Sequence, residues 1–390
     1  MGYERDVIII GAGIAGSVCA AYLARAGADV LVIDKEVFPR DKACGDLLRE
    51  ETVTHLSRLN LFDDLDRKGT LLRRIHVISE NGSECVLPFE AYASPRFNVD
   101  NMIINQAVKY GAEFKDGCRV RSLINEDGYT KGVKVRERGV DYDIRSRLVI
   151  LAAGADGLVP GKRSGAGTMG GSGRYVGERA YFTGINLEEL LAKGQYNAYG
   201  VFGFSRELPN GYYWVVPSGA AGVREGYCNV GIIRSVDDGK DIKARDVFSR
   251  LIESNRRISS LFVGAEQVSP WKSDSVQDVT AVDVRSGNGY LVIGNSGSIM
   301  LPMLKDGTGA AAASGEAAAL AAKEAIGAND FSAEFLEERY DERIRPDRDR
   351  LKYERITSES LYDISVSNQM IARMVNNPNY TKKIVKEVFG

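Results

Sequence analysis

The chain has 390 residues, 44% of them hydrophobic and 27% charged, with a formal net charge of −2. This is the balance of a soluble globular protein of two or three structural units, and it provides no global attraction to nucleic acid or to an anionic membrane. Five cysteines without CxxC spacing and two histidines without a ligand pattern argue against a metal centre and a Ser-His-Asp triad, and they fit a reducing cytoplasm.

The first element is a run of four branched apolar residues, Val7-Ile8-Ile9-Ile10, which reads as a strand buried on both faces. It delivers Gly11-Ala12-Gly13-Ile14-Ala15-Gly16, and a helix is expected from Ile14 to about Ala26. Gly11 permits the tight turn, Gly13 lets backbone approach a pyrophosphate, and Gly16 lets helix and strand pack without an intervening Cβ. A second strand, Val30 to Ile33, ends in Asp34, placed to bind a ribose 2′-hydroxyl. Strand, helix, strand and terminal acid in register point to FAD or NAD rather than NADP.

The segment from Phe38 to Asp46 carries Pro39 and Gly45 and reads as a loop, followed by a helix from about Leu47 to Leu59. Cys44, between Ala43 and Gly45, reads either as a group open to a ring or substrate, or as a small buried hydrophobe. Arg74 to Leu87 alternates around Asn81-Gly82 and predicts a β-hairpin. An amphipathic helix follows Pro95 and stops before Gly111, and Glu113 to Arg147 predicts a three-stranded meander. Leu148 to Ala152 is a further apolar strand closing on Ala153-Gly154-Ala155-Asp156-Gly157. Pro160 to Gly173 reads as a loop, either a plain linker or a lid.

Tyr212-Tyr213-Trp214 begins a strand with Tyr212 and Trp214 on one face and Tyr213 on the other, serving a pocket or the core. The strand Gly289 to Gly294 delivers Asn295, Pro302 and Gly307-Thr308-Gly309, which starts an alanine-rich helix reaching Ile326. The tail from Phe331 reads as helices broken at Asn376-Asn377-Pro378. The fold class expected is α/β. A Rossmann-like domain with a parallel sheet (1–73, 96–175 and 281–327) carries an inserted antiparallel-sheet substrate domain (74–95 and 176–280), and a helical C-terminal region covers 328–390.

The order of Gly11-x-Gly13-x-x-Gly16 with Asp34, Arg96-Phe97 before a helix, Gly154-Ala155-Asp156-Gly157 and the Gly294–Gly309 stretch resembles the flavoprotein hydroxylase superfamily. Within it, Pro39-Arg40-x-Lys42-x-Cys44-Gly45 and Tyr212-x-Trp214-x-x-Pro217 are most similar to the geranylgeranyl reductase family, which reduces isoprenoid C=C bonds with FAD. The resemblance implies FAD contacts at Gly11, Gly13, Ala15, Gly16, Asp34, Lys35, Arg40, Ala43, Cys44, Gly45, Arg96, Ala153, Gly154, Asp156, Gly157, Gly294, Asn295, Pro302, Gly307, Thr308 and Gly309. It implies a prenyl pocket at Tyr212, Trp214 and Pro217, and Cys44, Tyr212 or Tyr213 as proton donor. Asn295 stands where the family has aspartate; its amide oxygen can accept the same hydrogen bond without charge assistance.

The activity implied is reduction of an apolar, isoprenoid-type substrate, with FAD monooxygenation or epoxidation as the principal rival, then halogenation or flavin binding without turnover. With one dinucleotide fingerprint in the chain, NAD(P)H or a reduced carrier would have to dock transiently. A lipid substrate would bring peripheral membrane contact, with no membrane span and no nucleic-acid partner; oligomeric state stays open.

Overall fold

The computed structural model describes residues 4–154, 174–187, 199–208, 210–218, 227–236, 242–277, 285–297, 307–345 and 363–385. Asp156, Gly157, Pro302 and the Pro160–Gly173 loop lie outside these residues.

Two sheets organise the chain. The first has a parallel centre in the order Tyr290–Val292, Val140–Leu151, Glu4–Ile10, Val30–Ile33 and Glu113–Lys115. Its central run is apolar at every position because both faces are covered. Val7 and Ile9 pack under the helices Ile14–Arg25, Arg96–Lys109 and Thr308–Ala328, while Ile8 and Ile10 pack under the meander. The alanine-rich helix sits hard against the first: a Cβ on Gly315 would fall within 2.4 Å of the Ala15 carbonyl oxygen. The α/β class with a Rossmann-like parallel sheet is what the strand pattern predicts.

Two expectations need correcting here. Glu113–Lys115 is no part of the meander; it pairs parallel with Val30–Ile33 at the sheet edge. Val140–Leu151 is one strand rather than two. Its first half pairs antiparallel with Tyr129–Glu137, and its second half runs parallel to Glu4–Ile10. The apolar run at 148–151 marks only the part of this strand that both layers cover.

The second sheet runs Glu266–Gln267, Arg174–Thr183, Cys228–Ser235, Tyr212–Pro217, Tyr199–Gly203, Thr70–Ile78, Glu84–Ala93 and Leu47–Arg49. Lys272–Gln277 also pairs with Arg174–Thr183. It is antiparallel except where Tyr199–Gly203 meets Thr70–Ile78 in parallel. The predicted hairpin is its Thr70–Ile78 and Glu84–Ala93 pair, with Gly82 at φ +83°. Leu47–Arg49 is a short edge strand, not the start of a helix, which begins at Glu50 and ends at Arg58.

One face of this sheet packs through Tyr213, Val215 and Ile232 on the helices Ala244–Ser254 and Arg256–Leu261. On the other face Ile75, Val77, Leu87 and Phe89 meet Ile371, Met374 and Ile384 of the tail helices Ile364–Asn376 and Pro378–Ile384. Asn377 caps the last helix by accepting from the Tyr380 N–H at 3.0 Å, with Pro378 as its first residue. No helix among the described residues is long and apolar enough to cross a membrane.

Candidate active site

Two adjoining cavities lie where the sheets meet, sharing Gly13, Lys42, Ala43, Ala152, Gly154 and Asp274 in their walls. The outer one is a polar cleft above the first parallel strands, lined also by Gly11, Asp34, Lys35, Arg40 and Ala153. Gly11 adopts φ +106°, and a Cβ there would stand 2.5 Å from the Ala152 carbonyl oxygen. A Cβ on Gly13, by contrast, would meet nothing nearer than Arg40 Nη2 at 3.6 Å and Arg96 Nη2 at 4.0 Å. The chain is therefore thinned at Gly13 to face a space bordered by two guanidinium groups.

Gly13 is also the N-cap of Ile14–Arg25 and carries no capping side chain, so the helix presents its positive end to that space. Arg96 forks onto Asp100, Nε to Oδ1 and Nη2 to Oδ2, both at 2.8 Å; Arg40 Nη2 reaches Asp100 Oδ2 at 2.9 Å. Burial works against the Arg96 charge, but Asp100 and the Cys44 sulfur outweigh it and hold the guanidinium protonated. Arg40 Nη1 is buried with no hydrogen-bond partner among the described residues. Asp34 is held rigid: Oδ2 accepts from the Ala12 N–H at 2.7 Å and Oδ1 from the Glu36 N–H at 2.9 Å. Lone pairs remain on both oxygens for ribose hydroxyls.

The inner cavity is mainly apolar. Ile75, Phe89, Phe202, Tyr212, Trp214 and Ile233 line one side; Ala15, Cys44, Gly45, Arg96, Gly294, Asn295, Gly307 and Thr308 line the other. The Cys44 sulfur is within hydrogen-bond reach of Arg96 and of the Asp46 N–H; burial pushes its thiol up, against the pull of Arg96. Gly307, the N-cap of Thr308–Ala328, again offers no capping side chain, so a second positive helix end meets the cavity. Asn295 Oδ1 is buried with no partner among the described residues, a lone acceptor at the wall.

Behind that wall is a buried polar cluster that the sequence reading misses. Asp46, fully buried and at φ +62°, accepts at Oδ2 from Tyr181 Oη at 2.7 Å, Ser218 Oγ at 3.0 Å and Asn229 Nδ2 at 2.7 Å. The Asn229 amide also donates to the Cys44 carbonyl at 2.8 Å and accepts from Trp214 Nε1 at 2.7 Å. One side chain thus ties the Cys44 loop to the aromatic strand. Burial pushes the Asp46 carboxyl up, opposed by Arg179 and its three donors. Arg179 also lines the inner cavity.

Several predicted positions face elsewhere. Tyr213 points to the opposite side of its strand, against Phe248 at 6.1 Å between ring centroids, and so cannot reach the cavity. Pro217 ends the strand opposite Cys228, and neither cavity is lined by it. Gly309 faces the Glu51 side chain, and a Cβ on Gly16 would overlap the Gly11 carbonyl oxygen. Both glycines serve helix packing and neither lines the cavities.

A polar cleft with a locked acid and a bare helix end, beside an apolar cavity met by a second bare helix end, defines a dinucleotide-binding oxidoreductase. The chain belongs to the FAD binding domain family, whose model matches residues 4–349. Among its relatives, the digeranylgeranylglycerophospholipid reductase of Methanosarcina acetivorans is 30% identical over 360 residues, 87% of this chain and 80% of that protein. The crystal structure of a geranylgeranyl bacteriochlorophyll reductase-like protein from Thermoplasma acidophilum superposes with a TM-score of 0.82 at 19% identity, covering 100% of this chain and 97% of the other. A flavin-dependent brominase has the same fold, with a TM-score of 0.75 at 21% identity, 99% of this chain and 94% of that one. The protein is an FAD-dependent enzyme related to the geranylgeranyl reductase-like flavoproteins, as the motif order predicts.

Proposed function

We propose that the protein reduces C=C bonds of an apolar, isoprenoid-type substrate held in the inner cavity. The observation that carries this reading is the apolar wall of Phe89, Phe202, Tyr212 and Trp214 set directly against Cys44 and the bare helix end at Gly307. In it Gly13, Arg40 and Arg96 would hold the pyrophosphate, Asp34 the adenosine ribose, and Cys44 and Gly307 the flavin ring. Arg40 Nη1 and Asn295 Oδ1 are then the buried protein atoms that the cofactor satisfies.

When bound, reduced FAD supplies the hydride. The chain supplies the rest. The Gly307 helix end stabilises negative charge on the ring. The apolar wall excludes water and aligns the alkene. An isolated alkene has no group to take up charge, so a proton must reach the second carbon as the hydride arrives at the first. Cys44 is a candidate donor because burial keeps its thiol protonated, and the Tyr212 hydroxyl is the other candidate on this wall. NAD(P)H or a reduced carrier supplies electrons by transient docking, and a lipid substrate enters from a membrane surface by peripheral contact.

A second reading, oxygenation or halogenation of the substrate, is favoured by one observation. Lys42 borders the inner cavity beside Gly154, although Asp274 engages its Nζ at 3.0 Å. One experiment separates the two: the reduced holoenzyme is mixed with a prenylated lipid without oxygen and flavin absorbance is followed. Reoxidation with a saturated product supports the reductase. Reoxidation that requires oxygen and leaves every C=C bond intact, or adds an oxygen atom or a halide, removes it.

A further inference from the structure

The inner cavity has one feature that a purely hydrocarbon ligand leaves unexplained. Arg179, on the strand Arg174–Thr183, is fully buried and lines the cavity near Gly177 and Trp214. Its Nη2 is engaged by Asp41 and by the Lys42 carbonyl at 3.1 Å, and its guanidinium lies 4.3 Å from the Tyr181 ring centroid. Nε and Nη1 have no hydrogen-bond partner among the described residues. Two buried, charged donors left unmatched carry a desolvation cost that a ligand acceptor would relieve.

We propose that Arg179 is a recognition point for an uncharged oxygen, a ketone or quinone carbonyl, on the polar end of the substrate. This rests on the reading of the cavity as the substrate site. The charge balance selects the acceptor. Asp41 sits on Arg179 and also on Lys272 at 3.0 Å, while Asp274 sits on Lys42 at 3.0 Å. Asp46, which holds the Tyr181 hydroxyl beside Arg179 and acts electrostatically on it, is the third acid against the three cations Arg179, Lys42 and Lys272, so the site provides hydrogen-bond donors without surplus positive charge. A phosphate dianion would need that surplus. A carbonyl needs only the two N–H groups.

The test uses the FAD-loaded protein in dilute detergent and three probes of equal chain length: a polyprenyl ketone, the hydrocarbon lacking the oxygen, and the polyprenyl monophosphate. Affinities come from ligand depletion, with no turnover required. The wild type is expected to bind the ketone about ten- to hundredfold more tightly than the hydrocarbon, the worth of a hydrogen bond to a charged donor. Arg179→Met is expected to abolish that preference while hydrocarbon affinity and FAD content stay unchanged. Asp41 keeps Lys272 as its partner in the variant, and Arg179→Leu is the substitute if the methionine variant fails to fold. The proposal is overturned by equal wild-type affinities for ketone and hydrocarbon, by preference for the phosphate, or by loss of FAD on substitution. Tight hydrocarbon binding without ketone preference sinks this proposal and leaves the apolar substrate site standing. No binding of any probe removes both.

Discussion

The two cavities are built in opposite ways. The outer cleft is made of backbone: Gly11 and Gly13 shape it, a helix end charges it, and Asp34 is locked by two amide N–H groups. The inner cavity is made of side chains delivered by strands remote in sequence and joined by one amide, Asn229. A site of backbone fails when an atom is added, and a site of side chains fails when one is removed.

The largest expected effect follows from that asymmetry. Gly16→Val would drive a branched Cβ into the Gly11 carbonyl, so soluble yield and flavin content should both collapse. A yellow, cooperatively melting variant would mean that helix and strand can separate there. Next, Cys44→Ala is expected to keep FAD and lower turnover by about a hundredfold, the usual share of a general acid. If the anaerobic rate does not change, Cys44 is only a small wall residue. Asp34→Ala strands the Ala12 and Glu36 N–H groups and loses the ribose acceptor, so FAD affinity should fall about tenfold or more by equilibrium dialysis.

The Asp46 cluster sharpens the comparison through pH. Its carboxyl is raised by burial, so the folded state holds this proton where the unfolded chain has released it. Its contribution to stability is complete below the ordinary carboxylate range and is lost as pH rises through the elevated folded value. Asp46→Asn should flatten that segment of the melting-temperature profile, and an identical profile would show that Asp46 titrates normally. The smallest effect belongs to Tyr213→Phe. Its ring packs on Phe248 away from the cavity, so turnover should stay within about threefold of wild type, the size of a sub-kilocalorie change.

The outer cleft was legible because its demands are local. A glycine that must clear the Ala152 carbonyl, a strand buried on both faces and an acid at the next strand end all fall within one short stretch. Cofactor type and sheet class follow from that stretch. The inner wall was half legible: alternation separated Tyr212 and Trp214 from Tyr213, but could not tell which face met the cavity. The leucines of Leu47–Arg49 continue the spacing of the following turn and so suggest helix, whereas pairing with Glu84–Ala93 makes the segment a strand. Asp46 and Arg179 gave no signal. Asp46 follows a glycine like any loop acid, and its partners Tyr181, Ser218 and Asn229 lie far along the chain.

The parallel contact between Tyr199–Gly203 and Thr70–Ile78 sets the order in which the molecule can be finished. As the chain leaves the ribosome, the early hairpin is complete while the strand that must flank it is still untranslated. During that interval its Ile75 and Val77 edge is an unpaired template for foreign strands. A host that slows elongation between these segments would lengthen the exposure and should lower the recovered fraction of folded protein.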